Sequence, residues 1–182
     1  MKRICLLFVF LCFAVTLFAQ RTYEGQYELS AYGFVLADQG AALQFGRYTH
    51  NGYWDFVAQA HFYDEYGDGA SSLDNSNVGD WFVGGGYMFR LLGTRERALS
   101  LYAGIDGFAG YEKIQRWYED GMVGSPEENA SGLAFGVSPK VELEVYPFKK
   151  LAFLVSGGAP MNFLSEKQMF RVSFGVGARY CF

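Results

Sequence analysis

The stretch Met169-Phe170-Arg171-Val172-Ser173-Phe174-Gly175-Val176-Gly177-Ala178-Arg179-Tyr180-Cys181-Phe182 alternates without a break. Phe170, Val172, Phe174, Val176, Ala178, Tyr180 and Phe182 fall in one row; arginines, glycines, Met169, Ser173 and Cys181 fill the other. A strand points successive side chains to opposite faces, so one face here is continuously apolar and the other polar or small. Soluble strands alternate too, but rarely over this length. Closing on Phe182, the pattern predicts the last strand of an outer-membrane β-barrel, apolar toward lipid and polar toward the lumen.

Seven earlier segments repeat the pattern. The first runs from about Tyr23 to Val35, with Tyr27, Leu29, Ala31, Gly33 and Val35 opposite Glu24, Gln26, Glu28 and Ser30. Ala41, Leu43 and Phe45 mark a second; Trp54, Phe56, Ala58, Ala60 and Phe62 a third; Trp81, Val83, Tyr87, Phe89 and Leu91 a fourth. Leu99, Leu101, Ala103 and Ile105 mark the fifth, and the row from Leu133 to Val145 the sixth, where Pro139 predicts a bulge or break. The seventh, Leu151 to Gly157, alternates least. Bacterial single-chain barrels use even strand numbers from eight upward. The expected fold is therefore all-β: an eight-stranded antiparallel up-and-down transmembrane β-barrel of outer-membrane type.

The connections support that reading. Those after odd-numbered strands are mostly long and acidic, at 38–40, 64–80, 112–130 and 160–168; those after even-numbered strands are short, at 50–52, 93–97 and 147–150. His50-Asn51-Gly52 is a hairpin signal. A barrel with both termini in the periplasm predicts this asymmetry; a soluble sandwich does not require it. Aromatics at 19% and 23 glycines against 4 prolines suit long strands with interfacial girdles.

Residues 1–19 read as a cleaved secretory signal, leaving 20–182 as one barrel domain. Lys2 and Arg3 precede the apolar run Ile4 to Phe18, which is short for a spanning helix, and Ala19 precedes Gln20. Leu17 makes the cleavage site imperfect, and an uncleaved helical anchor is the alternative. Cleavage would remove Cys5 and Cys12, leaving Cys181 with no internal disulfide. It would also lower the basic residues from 15 to 13 against 19 acidic ones, a net charge of −6. Direct nucleic-acid binding is not expected of so acidic a chain.

An eight-stranded barrel has room inside only for side chains. The inward rows contain Glu28, Gln44, Asp55, Gln59, His61, Arg90, Asp106, Lys140, Glu142, Glu144, Arg171 and Arg179. Buried charges persist when paired, so a lumenal polar network of Asp55, His61, Arg90, Asp106, Lys140, Glu142, Glu144, Arg171 and Arg179 is expected as a structural plug. The alternative is a narrow ion path or a catalytic site. His61 has no nucleophile motif beside it, and no catalytic residue, cofactor or metal is assigned. Asp64, Asp68 and Gly69 begin like a calcium loop, but Tyr66 stands where an oxygen ligand is needed and Asn75 where a bidentate Glu is expected. Gly84-Gly85-Gly86 reads as strand interior rather than a phosphate loop, with no helix signal after it.

Gly110-Tyr111-Glu112 ahead of Asp120-Gly121, then Phe135-Gly136 and Glu142-Leu143-Glu144-Val145-Tyr146, resemble the TraO family of conjugative-transposon transfer proteins. Ala19-Gln20 and the closing Gly175-Val176-Gly177 add to the resemblance; Pro147-Phe148-Lys149-Lys150 departs from it. The resemblance implies a non-enzymatic outer-membrane component of a conjugal DNA-transfer apparatus, with membrane lipids and other apparatus proteins as partners. A lumen this narrow implies anchoring or organising rather than forming the conduit. Tyr66, Trp117, Tyr118 and Met122, in the long acidic connections, are the candidate partner-contact residues. The competing readings are a solitary surface barrel for adhesion or envelope stability and a lipid-modifying enzyme using His61.

Overall fold

A computed structural model describes residues 24–35, 39–66, 74–94, 98–118, 129–164 and 171–182, with the backbone alone at 63–66, 74–77, 114–118 and 129–130. The proposed signal and its cleavage site lie outside the described residues. The strands are β1 (Tyr27–Val35), β2 (Gln39–Tyr48), β3 (Gly52–Tyr66), β4 (Asp74–Gly93), β5 (Leu99–Tyr118), β6 (Asn129–Val145), β7 (Leu151–Gly158), β8 (Met161–Asn162) and β9 (Ser173–Cys181). Each of β1 to β6 pairs antiparallel with the next, β7 pairs with β9, and β9 pairs with β1. The sheet therefore closes on itself into a barrel. Tyr27 and Phe182 exchange backbone hydrogen bonds of 3.2 and 3.0 Å at the seam.

The short β8 belongs to the line of β7. Lys140 pairs with Gly158 and Val137 with Met161, one unbroken register along β6. The interruption falls at Ala159-Pro160, opposite Pro139. Ala159 N–H donates to the Pro139 carbonyl at 3.0 Å, but Pro139 has no N–H to return the bond. The break expected at Pro139 thus appears in the facing strand, while β6 stays continuous. The ring has eight positions, β7 and β8 sharing one.

Alternation governs burial. In β1 the buried and exposed positions follow one another from Tyr27 to Gly33, and in β2 from Ala41 to Tyr48. The barrel is apolar outside and polar inside: Phe56 is 67% exposed and Leu133 77%, whereas Glu28, Glu144 and Arg179 are each 0% exposed. A soluble monomer rarely exposes a contiguous apolar patch beyond a few hundred Å². This surface encircles the barrel, as lipid requires. Trp81 and Phe62 pack edge to face on one rim, and Trp54, Tyr87 and Phe89 on the other. Trp81 and Tyr87 are separated along β4 by roughly 20 Å at ~3.4 Å per residue, which fits within the ~25 Å apolar band of such barrels.

Four strands outrun that belt. The β4 and β5 strands have 20 residues each and β6 has 17, against 9 in β1, where about 9–11 suffice to cross a bilayer. Their ladder continues through Tyr66↔Asn75, Asp74↔Tyr118 and Gln115↔Asn129. Much of what reads as loop at 64–80 and 112–130 is therefore strand. Polar residues occupy both rows there, so the sequence carries no alternation, yet the backbone pairing persists. The result is a wall raised on the β3–β6 side.

Candidate functional site in the barrel lumen

Arg179, the last inward arginine of β9, occupies the centre of the lumen and is fully buried. Its Nε lies 2.6 Å from Glu28 Oε2 and donates to Ser30 Oγ at 2.8 Å. Nη1 donates to Tyr48 Oη at 3.1 Å and Glu144 Oε1 at 2.9 Å, and lies 3.0 Å from Glu142 Oε1. Nη2 donates to the hydroxyls of Tyr32 and Tyr53, each at 3.3 Å. The guanidinium carbon also sits 4.6 Å from the centre of the Tyr53 ring.

One arginine thus faces three carboxylates, and tyrosines extend its reach. The hydroxyls of Tyr32 and Tyr53 accept from Arg179 and donate to Glu142, Tyr53 at 2.7 Å. Tyr48 accepts from Arg179 and donates to Glu144, which also takes the Tyr146 hydroxyl at 2.9 Å. Tyr146 contacts Cys181 Sγ at 3.0 Å. Each hydroxyl relays the cation's field to a carboxylate, and such chains polarise one another in a low-dielectric interior. Glycine makes space for one member: a Cβ at Gly46 would collide with the Glu28 carboxylate.

The geometry closes the barrel. In the ring order, β2 and β6 stand opposite, so the Tyr48–Glu144 bond crosses the full diameter. A second crossing lies toward the long-connection end, where Arg171, just before β9, donates to Asp80 of the opposite β4 at 3.1 Å. Asn162 also reaches Glu112 at 3.5 Å. Between these levels Lys140 of β6 contacts Asp106 of β5 and lies 3.4 Å from Asp55 of β3. Asp55 accepts the Gly86 N–H at 3.0 Å. A cavity of about 40 Å³ remains, lined by Tyr32, Gln44, Gln59, His61, Lys140 and Glu142 among others; it has room for roughly three waters.

The residues singled out from the sequence fall into distinct places. Glu142, Glu144 and Arg179 meet in one cluster, and Asp55, Asp106 and Lys140 in another. Arg171 joins Asp80, which lies within β4 rather than in a connection. His61 is buried 4.3 Å from the Phe34 ring, inside the lumen rather than at a lipid-facing rim. Arg90 stands half-buried near the short-turn end of β4, outside these clusters. Tyr66 lies in β3 and Trp117 and Tyr118 in β5, with their side chains outside the described residues, as is Met122 altogether. The tyrosines of the plug are not among the residues singled out. Their signal in the sequence is parity: Tyr32 shares the inward row of Glu28 and Ser30, and Tyr53 that of Asp55.

Among the described residues no group of three or more His, Cys, Asp or Glu is arranged to hold a metal ion. A family model described as conjugative transposon protein TraO matches residues 36–182. No curated protein sequence matches the chain. Solved structures share its fold, these two among them. The first is a major outer membrane protein from Thermus thermophilus, with TM-score 0.68 and 8% identity, over 86% of this chain and 99% of that one. The second is the N-terminal β-barrel domain of Pseudomonas aeruginosa OprF, with TM-score 0.50 and 14% identity, over 87% and 98%. At such identities the likeness establishes the fold: an antiparallel barrel of outer-membrane type.

Proposed function

From the premise that the chain belongs to the TraO family of conjugative transposon proteins, we propose that it anchors and organises a DNA-transfer apparatus in the outer membrane without serving as the conduit. The apolar exterior and its two aromatic rims support a position across a bilayer. An even number of strand positions with short turns at one end supports periplasmic termini and long connections outside the cell. The observation that carries the anchoring role is the closed lumen. Tyr48–Glu144 and Arg171–Asp80 each span the full diameter, so neither single-stranded DNA nor a folded protein can pass a monomer.

The wall raised by β3 to β6 is the docking surface in this reading. It continues the ladder past the belt, and Tyr66, Trp117 and Tyr118 sit on its strands, with Met122 in the connection between β5 and β6. Extended, hydrogen-bonded backbone presents contact residues with less ordering cost than a free loop.

The test has two arms. A donor strain lacking the gene should transfer DNA poorly and recover with the intact chain supplied in trans. Tagged protein from gently solubilised outer membrane should bring down other proteins of the same transfer apparatus, identified by mass spectrometry. Undiminished transfer together with recovery of the barrel alone would assign it instead to a solitary surface role.

A further inference from the structure

At the short-turn end, the outer face of the closing seam carries a row of rings with cations set into it. Trp54 of β3, Arg47 of β2 and Tyr27 of β1 occupy one register row, and Tyr27 meets Phe182 across the seam. Phe45, Tyr27, Phe182 and Tyr180 form a chain of stacked neighbours at centroid distances of 5.7, 6.3 and 6.4 Å. Arg47 lies 5.6 Å over the Tyr27 ring and Lys150 5.9 Å over the Tyr180 ring, one at each side of the strip. All four rings are exposed, as are both cations.

The two ends of the barrel differ in charge. The short turns at 49–51, 94–98 and 146–150 carry Arg95, Arg97, Lys149 and Lys150 against Glu96. The connections at 36–38, 67–73, 119–128 and 163–172 carry seven carboxylates against Lys167 and Arg171. Glu24, a carboxylate side chain at this end, lies 3.9 Å from His50.

We propose that this strip binds anionic phospholipid in the leaflet at the short-turn end, with Arg47 and Lys150 holding the phosphate-bearing headgroups. The proposal rests on the bilayer position argued above. Its ligand must satisfy two chemistries at once. Leu29 above Tyr27, and Val176 and Ala178 above Tyr180, continue the apolar belt along which acyl chains lie. The cations stand at the edge of that belt, held against ring faces with their stems alongside, where a lipid phosphate comes to rest. A soluble anion would leave the rings uncovered, and a zwitterionic lipid would bring its phosphate together with a cation that Arg47 and Lys150 repel.

The register supplies a reporter, because Trp54 stands directly beside Arg47. In a chain with Trp81→Phe and Trp117→Phe, Trp54 is the remaining tryptophan. It is reconstituted in equimolar phosphatidylcholine and phosphatidylglycerol, with one or the other brominated on its acyl chains. Brominated phosphatidylglycerol should quench Trp54 more strongly. Arg47→Gln should lower that preference roughly fivefold, the effect of about one surface charge, and high salt should lower it in the chain retaining Arg47. Equal quenching by both lipids, or a preference untouched by Arg47→Gln, overturns the headgroup site and leaves the barrel in its bilayer. Quenching by neither lipid overturns the bilayer position as well.

Discussion

Tyr48 and Glu144 stand on opposite walls of the barrel, and the Tyr48 hydroxyl donates to the Glu144 carboxylate across its whole width. That carboxylate also receives Tyr146 and Arg179, so it is the junction between the tyrosine relay and the buried cation. Removing one hydroxyl leaves a buried carboxylate one donor short, and Tyr48→Phe should cost about 1–3 kcal/mol. Arg179→Met strands three buried carboxylates and should cost about 3–5 kcal/mol. Adding Glu142→Gln and Glu144→Gln should recover part of that loss by removing the unpaired charge. Urea unfolding in a bilayer reads all three; an Arg179→Met barrel as stable as the parent would mean that the network does not hold the lumen together.

The two full-diameter crossings act in series, and so they should act together on conductance. In planar bilayers the parent barrel should pass little current. Arg171→Ala alone leaves the Tyr48–Glu144 crossing and Arg179 in place and should change little, whereas Arg171→Ala with Tyr48→Ala and Arg179→Ala should open a measurable ion path. Heat-modifiable gel mobility identifies which variants remain folded. The folded open variant should transfer no more DNA than the parent. A rise in transfer frequency with conductance would contradict the anchoring role.

What is readable in the sequence is what a strand imposes locally. The outward row Trp54, Phe56 and Phe62 and the inward row Asp55 and His61 of β3 follow from side-chain parity alone, and both rows are found where parity puts them. Two kinds of feature escape it. Asp74 to Asp80 has polar residues in both rows because it rises past the apolar belt, so no alternation marks it as strand. The pairing of Arg171 with Asp80, 91 residues apart, depends on which strands close opposite one another, and parity carries no information on that. The family resemblance, carried by short motifs between Leu99 and Tyr146, is met by the family match over 36–182.

The raised wall is testable apart from the barrel beneath it. Tyr66→Ser, Trp117→Ser, Tyr118→Ser and Met122→Ser lie beyond the apolar belt or in the connection that follows it. A docking surface contributes little to the fold, so these changes should shift stability by no more than about 0.5 kcal/mol. If the wall docks partners, the four together should reduce both recovery of apparatus proteins and transfer frequency while gel mobility stays that of the folded barrel. Full transfer by the fourfold variant would remove these residues from the docking surface.

Gly86 and Gly107, on opposite faces of the sheet, should behave oppositely, because Gly86 faces a filled part of the lumen and Gly107 faces open space. At Gly86 the strand carries Asp55 and Asp106 close on either side. A Cβ there would run into the Ile105 carbonyl and the Asp106 carboxylate, which sits against Lys140. Gly86→Ala must therefore move a ladder carbonyl or an ion pair, at a cost of about 1–3 kcal/mol. Gly107 lies in register with Gly85 one row away and points outward, where a Cβ meets nothing within 4 Å. Gly107→Ala removes backbone freedom from the unfolded chain without a clash and should leave stability unchanged or raise it by up to about 1 kcal/mol. The contrast separates a packed lumen from an open exterior using one added methyl group. Equal losses at both positions in urea unfolding would mean that something outside the barrel already occupies the space beside Gly107.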